Sequence, residues 1–391
     1  MGKNIYCLII PYHMKKVFVV LSVLVLAAAI AGCAQQHKTT PTAPTTTPTK
    51  TTPAKTTTQQ VVLIGDGATF PWPQITNWID VYMKEHPNVK IEYNGGGSGK
   101  GQADFAAGVV DFAGSDPPLK KSLWDKLVNH PPAEGKGPLQ FPDIIGAVVV
   151  CYNVPGVKHL RLDGKTLADI FMGKIKYWDN EEIKKLNPGV NLPHKEIIVI
   201  HRSDASGTTD IFTTYLCLVS PEWNSTIGAG KVVNWPVDKM GRGVGGKGNP
   251  GVVAELKNTP YSICYTELSY AIKENLKIVA LKNKDGYFVL PNATTIKAAA
   301  SHVSMYIAPP TAGYKENLRQ LLNAPGKDSY PIVAFSHLLV WKHYSDPVKG
   351  KAVHAFIKWI LTQGQNDKYI VPGYVGLPSS ITQKVLSEAG I

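Results

Sequence analysis

The chain has 391 residues, 44% hydrophobic and 18% charged, with a formal net charge of +12. From Val61 onward it exceeds what one compact core carries, so two lobes are expected. Five cysteines and eleven histidines give no CxxC or HxxxH spacing, and no basic cluster is interleaved with aromatics, which argues against a metal centre and against nucleic acid as a partner.

The N-terminus addresses the chain out of the cytoplasm. Val17 to Ala31 is apolar apart from Ser22, follows Lys15-Lys16, and leads to Gly32-Cys33. Such a run is shorter than the roughly 20 residues of a membrane-spanning helix, and its charged start and small-residue end are those of a secretory signal. We read 1–32 as a lipoprotein signal peptide and Cys33 as its lipidation site. An uncleaved anchor is the alternative and leaves the body on the same side of the membrane; Met14 offers a second start besides Met1. Residues 33–60 are almost entirely Thr, Pro, Lys, Gln and Ala, which cannot bury a core and form a stiff, extended tether. Without Lys3, Lys15 and Lys16 of the signal the net charge is +9, spread over scattered lysines.

Beyond the tether, strands alternate with glycine turns and helices, the pattern of an α/β protein. Val61-Val-Leu-Ile-Gly-Asp-Gly-Ala-Thr-Phe-Pro71 reads as a strand and turn before a helix with Ile75, Trp78, Ile79 and Tyr82 on one face. Val89-Lys-Ile-Glu-Tyr93 runs into Asn94-Gly-Gly-Gly-Ser-Gly-Lys-Gly101, placing Ser98 and glycine N–H groups where backbone can approach a ligand. This loop is no P-loop, because Asn94 stands where the first glycine belongs and Gly101 follows the lysine. Ile197-Ile-Val-Ile-His-Arg-Ser-Asp-Ala-Ser-Gly-Thr-Thr-Asp-Ile-Phe212 is a strand ending in an arginine and a Ser-Gly-Thr helix start. Free N–H groups of a helix's first turn carry partial positive charge, hydroxyls add donors, and an arginine adds a forked cation. Three such turns imply one shared oxyanion. Two apolar runs, Ile144–Tyr152 and Ile332–Trp341, read as crossings between lobes, while Gly245-Gly-Lys-Gly reads as a tight turn. Cys151, Cys217 and Cys264 read as buried thiols. Asn224-Ser-Thr226 and Asn292-Ala-Thr294 match the glycosylation acceptor pattern, and the sequence leaves their state open.

Taken together, these segments resemble the substrate-binding proteins of high-affinity phosphate ABC importers, of the type II periplasmic-binding-protein family. That family's GAGATFP is read here as Gly65-Asp-Gly-Ala-Thr-Phe-Pro71, its glycine-serine loop as Gly97-Ser98-Gly99, its DFGASDAPL as Asp111–Leu119, and its RxDxSGT as Arg202–Thr208. Collinear matches continue through Leu162–Leu167, Phe171–Trp178, Lys185–Pro188 and Gly245–Asn249, so the resemblance covers about Val61 to the C-terminus. One departure is Ser98-Gly-Lys-Gly, where Lys100 replaces a more usual glycine and either adds a cation or faces solvent.

The resemblance implies a two-lobed clamshell, each lobe a mixed sheet flanked by helices, with 61–152 and 337–391 as lobe one and 153–336 as lobe two. It implies an extracytoplasmic phosphate receptor delivering inorganic phosphate to the permease subunits and ATPase of an ABC importer. Such a receptor is a lipid-anchored monomer without enzymatic activity, cofactor or metal. The implied phosphate ligands are Thr69, Phe70, Ser98, Asp116, Arg202, Ser206, Gly207 and Thr208, with Asp204 orienting Arg202. A carboxylate beside an anion makes sense only if the ligand still has a proton to donate, as phosphate does and sulfate does not. Asp116 is thus the specificity residue, or else the N-cap of a helix opened by Pro117-Pro118. The same fold could hold sulfate, molybdate or tungstate, which Asp116 disfavours. A phosphate-ester hydrolase using Ser115 is the enzymatic alternative, and such hydrolysis normally needs metal ions.

Overall fold

The computed structural model describes residues 60–301 and 321–391. The signal, Cys33 and nearly all of the tether lie outside the described residues.

Strands and helices alternate as the patterning implies. Val61–Gly67 (β1) leads into the helix Trp72–Glu85, Val89–Asn94 (β2) into Ser98–Ala107, and Phe112–Ser115 (β3) is followed by Lys121–Asn129. The 19-residue strand Gly135–Asn153 (β4) comes next, and then the short Arg161–Leu162 (β5). Ile198–Arg202 (β6) leads into Gly207–Val219, Gly243–Gly246 (β7) into Gly248–Asn258, and Ser262–Glu267 (β8) into Leu268–Lys273. Short strands Lys277–Ile278 (β9), Ala280–Lys282 (β10) and Phe288–Val289 (β11) precede Val333–Tyr344 (β12) and the helix Pro347–Leu361.

The main sheet runs β2-β1-β3-β12-β4-β8-β6-β7. One half consists of β1 flanked in parallel by β2 and β3, the other of β6 flanked in parallel by β7 and β8. The antiparallel pair β4 and β12 joins them. β12 pairs with β3 through His337–Leu339, and β4 pairs with β8 through Val148–Asn153. The halves are therefore one hydrogen-bonded path, a closer connection than two separate sheets. A single buried apolar cluster also extends through both, from Leu63 and Trp78 to Ile263 and Phe212.

The apolar face read for the first helix is the face that packs, with Ile75, Trp78, Ile79 and Tyr82 all buried. Three readings are corrected. The Gly245 segment belongs to a fourth strand-to-helix unit, because Gly245-Gly246 ends β7 and Gly248 opens the next helix. Asp116 caps no helix; the following helix starts at Lys121, behind an extended Lys120. Cys151 and Cys264 are buried opposite each other on β4 and β8, but Cys217 is only half-buried.

Glycine is required where β1 meets β3. Gly67 has φ +139°, and a Cβ there would lie 2.1 Å from the Gly114 carbonyl oxygen. Backbone strain and overpacking each cost of order 1–3 kcal/mol. Gly67→Ala is expected to destabilise the body by more than about 2 kcal/mol, and chemical denaturation of the purified body checks it; an unchanged midpoint would contradict the close approach.

Candidate functional site

Four helix starts converge where the halves meet. At the first, Thr69 Oγ1 accepts from Asn249 N at 3.2 Å and Asn249 Nδ2 at 3.1 Å, and Tyr270 donates to the Thr69 carbonyl at 2.6 Å. Phe70 is fully buried, its carbonyl bonded by the Tyr374 hydroxyl. At the second, Gly97 N donates to the Gly67 carbonyl at 2.7 Å, and Gly99 N reaches across to the Ala205 carbonyl at 2.8 Å. At the third, Ser206 Oγ accepts from Thr209 N at 3.1 Å, which places the N–H groups of Gly207 and Thr208 at the free end of a 13-residue helix. Ser206 thus caps its helix while lying in the cluster. At the fourth, Gly248 N donates to Asp204 Oδ1 at 3.0 Å.

Asp116 sits between these ends. Its Oδ2 accepts from Ser98 Oγ at 3.2 Å and its Oδ1 from Ser336 Oγ at 3.2 Å, while its own N–H donates to Ser98 Oγ at 3.1 Å. A Cβ on Gly207 would lie 2.2 Å from Asp116 Oδ2 and 2.3 Å from Ser98 Oγ, so only glycine lets that helix start approach. Burial pushes the Asp116 carboxyl up to about 7, against the opposing pull of Arg202 and its two serines. His337 Nδ1 lies 2.8 Å from the Asp116 carbonyl, which requires the proton on Nδ1. Burial lowers His337 to about 4, so it is a neutral prop.

Arg202 is forked on Asp204, Nε to Oδ1 at 2.8 Å and Nη2 to Oδ2 at 2.5 Å. Its Nη1 donates to Thr208 Oγ1 at 3.2 Å, and Tyr265 braces its backbone N–H at 3.1 Å. Burial would raise Asp204, but the guanidinium and the Gly248 N–H hold its carboxyl below the ordinary range. The cation is thus fixed and neutralised on one edge.

The sequence-predicted residues Thr69, Ser98, Asp116, Arg202, Asp204, Ser206, Gly207 and Thr208 come together here, with Phe70 beside them. Several neighbours went unread. Asn249 ties Thr69 to Thr208, its Nδ2 lying 3.1 and 3.2 Å from their hydroxyl oxygens. Ser336 and His337 had a signal, two polar residues inside an apolar run. Lys100 does not reach the anion seat; it faces solvent, as expected, with its Nζ 2.6 Å from Asp66 Oδ2 and also bonded to Asp104. Asp66, which stands where the family motif has alanine, and Lys100 therefore bond each other and pin the glycine loop to β1.

The donors, the fixed cation and the single inward carboxylate suit a small tetrahedral oxyanion that carries a proton. A wider apolar cleft of about 650 Å³, lined by Trp72, Pro250, Tyr270, Ile272 and Val371, opens beside this site and includes none of its donors. Among the described residues no group of three or more His, Cys, Asp or Glu could hold a metal ion.

Residues 43–363 match the model of the PBP superfamily domain. The chain is 58% identical over 332 residues to a phosphate-binding protein PstS of Methanocaldococcus jannaschii, covering 83% of this chain and 84% of that protein. It is 42% identical to the PstS of Pasteurella multocida, with coverage of 85% and 90%. The chain belongs to the PstS phosphate-binding protein family. A solved human phosphate-binding apolipoprotein has the same two-lobed fold, with a TM-score of 0.67 at 22% identity, covering 83% of this chain and 93% of that one.

Two further carboxyls lie buried near the site. Asp143 makes no hydrogen bond of good geometry, although its own and the Ile144 N–H and Ser336 lie near enough to favour its ionised form; burial, reinforced by Asp116, nevertheless pushes it up to about 8. Burial also pushes Glu267 up to about 8 despite bonds from Ser269 and Tyr374. An unfolded chain ionises such groups near pH 4, so above that pH the folded chain holds more protons and stability falls as pH rises toward 8. His337 acts in the opposite sense, but only below about pH 6.5. Between about pH 6.5 and 8.5 the melting temperature is expected to fall, and to fall less in Asp143→Asn, because each such group contributes up to about 1.4 kcal/mol per pH unit. Parallel melting curves over that window would overturn the assignment.

Proposed function

We propose that this chain is a phosphate receptor of the extracytoplasmic space, tethered through a lipid on Cys33 and handing inorganic phosphate to the permease and ATPase subunits of an ABC importer. The observation that carries the reading is Asp116, a buried acceptor between two serine hydroxyls, facing helix N-termini and the Arg202 fork. Thr69, the Phe70 N–H, Ser98, Arg202, Ser206 and the N–H groups of Gly207 and Thr208 supply donors to the phosphate oxygens. Asp116 accepts the P–OH, and Asp204 orients Arg202.

We place lobe one at 61–152 and 337–391 and lobe two at 153–336, with the anion held between them. Contacts in both lobes favour the closed form by their differential affinity. No step of this function is catalytic. The hydroxyl of Ser115 donates to the Pro117 carbonyl at 2.6 Å and accepts from Gln102, so it is neither aimed into the seat nor held by a base.

Selectivity follows from the proton. An ionised Asp116 repels sulfate, whereas a protonated one can donate to it, and the change is centred near pH 7. Titration calorimetry is expected to show phosphate far ahead of sulfate at pH 8.5 and a narrower gap at pH 5.5, with the pH dependence lost in Asp116→Asn. Tighter sulfate than phosphate binding at pH 8.5 would sink the reading.

Arg202→Ala is expected to weaken phosphate binding by roughly 2–5 kcal/mol, the cost of truncating one partner of a buried charged hydrogen bond. Lys100→Ala should change affinity far less, because its carboxylate partners lie off the seat. The two dissociation constants check this, and a reversed order would contradict the placement of both cations.

A further inference from the structure

Lys231 takes part in neither the anion seat nor the core, yet its two ends touch both halves of the molecule. Its carbonyl accepts from Ser206 N at 2.9 Å, at the cap of the helix Gly207–Val219. Its Nζ donates to Gln102 Oε1 in the other half. Gln102 is itself fully engaged, because Nε2 donates to Ser115 Oγ at 2.8 Å and to the Pro117 carbonyl at 3.1 Å, the residues on either side of Asp116. One lysine thus joins the backbone of the capping residue to the loop that presents the specificity carboxylate.

The electrostatics give this contact a direction. The acceptor is a neutral amide oxygen, and covering an ammonium against a neutral partner costs desolvation. That burial pushes Lys231 down, Asp210 pulls it up, and Lys120 across the junction pushes it down again. A cation in that position is stabilised by negative charge arriving between the halves, and it is solvated again when they separate.

We propose that Lys231 is a positioning residue for phosphate retention, a latch that engages Gln102 only when the halves meet and thereby holds the Asp116 loop in place while the anion is bound. The proposal rests on the receptor reading above. Loss of the latch affects escape of the anion more than its capture.

The test is stopped-flow binding of inorganic phosphate to the full chain, comparing the unmutated protein with Lys231→Met and Lys231→Arg. Methionine keeps the length of the stem and removes the charge and donors. The expected result is a dissociation rate raised about tenfold in Lys231→Met, an association rate within threefold, partial recovery in Lys231→Arg, and an unchanged melting temperature without phosphate. An unchanged dissociation rate would overturn the latch. So would a loss confined to association and abolished by salt, which would make Lys231 a steering charge only. A lowered melting temperature without phosphate would also overturn it, in favour of a general packing role. Absence of phosphate binding by the unmutated protein would refute the receptor reading instead, and the two failures are distinguishable.

Discussion

Placing a carboxylate in an anion seat is the constraint on which the rest of the site depends. Asp116 is buried beside the starts of several helices, whose N–H groups bear partial positive charge, and within the field of Arg202. Burial favours the protonated carboxyl, and the Arg202 charge with the two serine hydrogen bonds opposes it, which leaves the balance at about 7. The serine pair completes the balance, since Ser98 and Ser336 give hydrogen bonds to opposite oxygens. On the proposed reading, charge, burial and hydrogen bonding must agree at one group before the site can distinguish a protonated oxyanion from an ionised one.

That requirement explains the local architecture. Gly67, Gly97 and Gly207 stand where backbone presses on backbone or on the site's own polar atoms, and a single methyl at Gly207 would meet both Asp116 and Ser98. Asp204 restrains Arg202 so that one edge of the guanidinium is satisfied by protein and the Nη1 edge points to Thr208. Asn249 then couples the hydroxyls of Thr69 and Thr208, which come from different halves.

Much of this was legible in the sequence because strand-to-helix turns carry their chemistry locally. A glycine turn, a hydroxyl and an arginine lie within a few residues, so Thr69, Ser98 and the Arg202–Thr208 segment could be read from order alone. What stayed hidden depends on long-range pairing. Ser336 comes to Asp116 across 220 positions of chain, and Lys231 to Gln102 across 129. Gly245-Gly-Lys-Gly248 reads as a plain turn because a four-residue strand of glycines and one valine has no apolar alternation to reveal it. The role of Lys100 was only half legible, since Asp104 lies four residues on in the same helix but Asp66 lies 34 residues earlier, on β1.

The shared pair β4 and β12 has a mechanical consequence. Halves connected by loops can swing freely, whereas halves connected by a continuous antiparallel ladder must flex it like a leaf spring. The ladder's irregular point falls between Ser336 and His337, where the register slips and Asp143 is the extra residue opposite. A bulge bends its strand and increases the local twist. The bend in the ladder therefore falls at the two residues that hold Asp116, through its carboxylate and its carbonyl. The ladder's backbone bend and the hydrogen bonds to Asp116 thus share the same two residues, so a substitution at either one touches both.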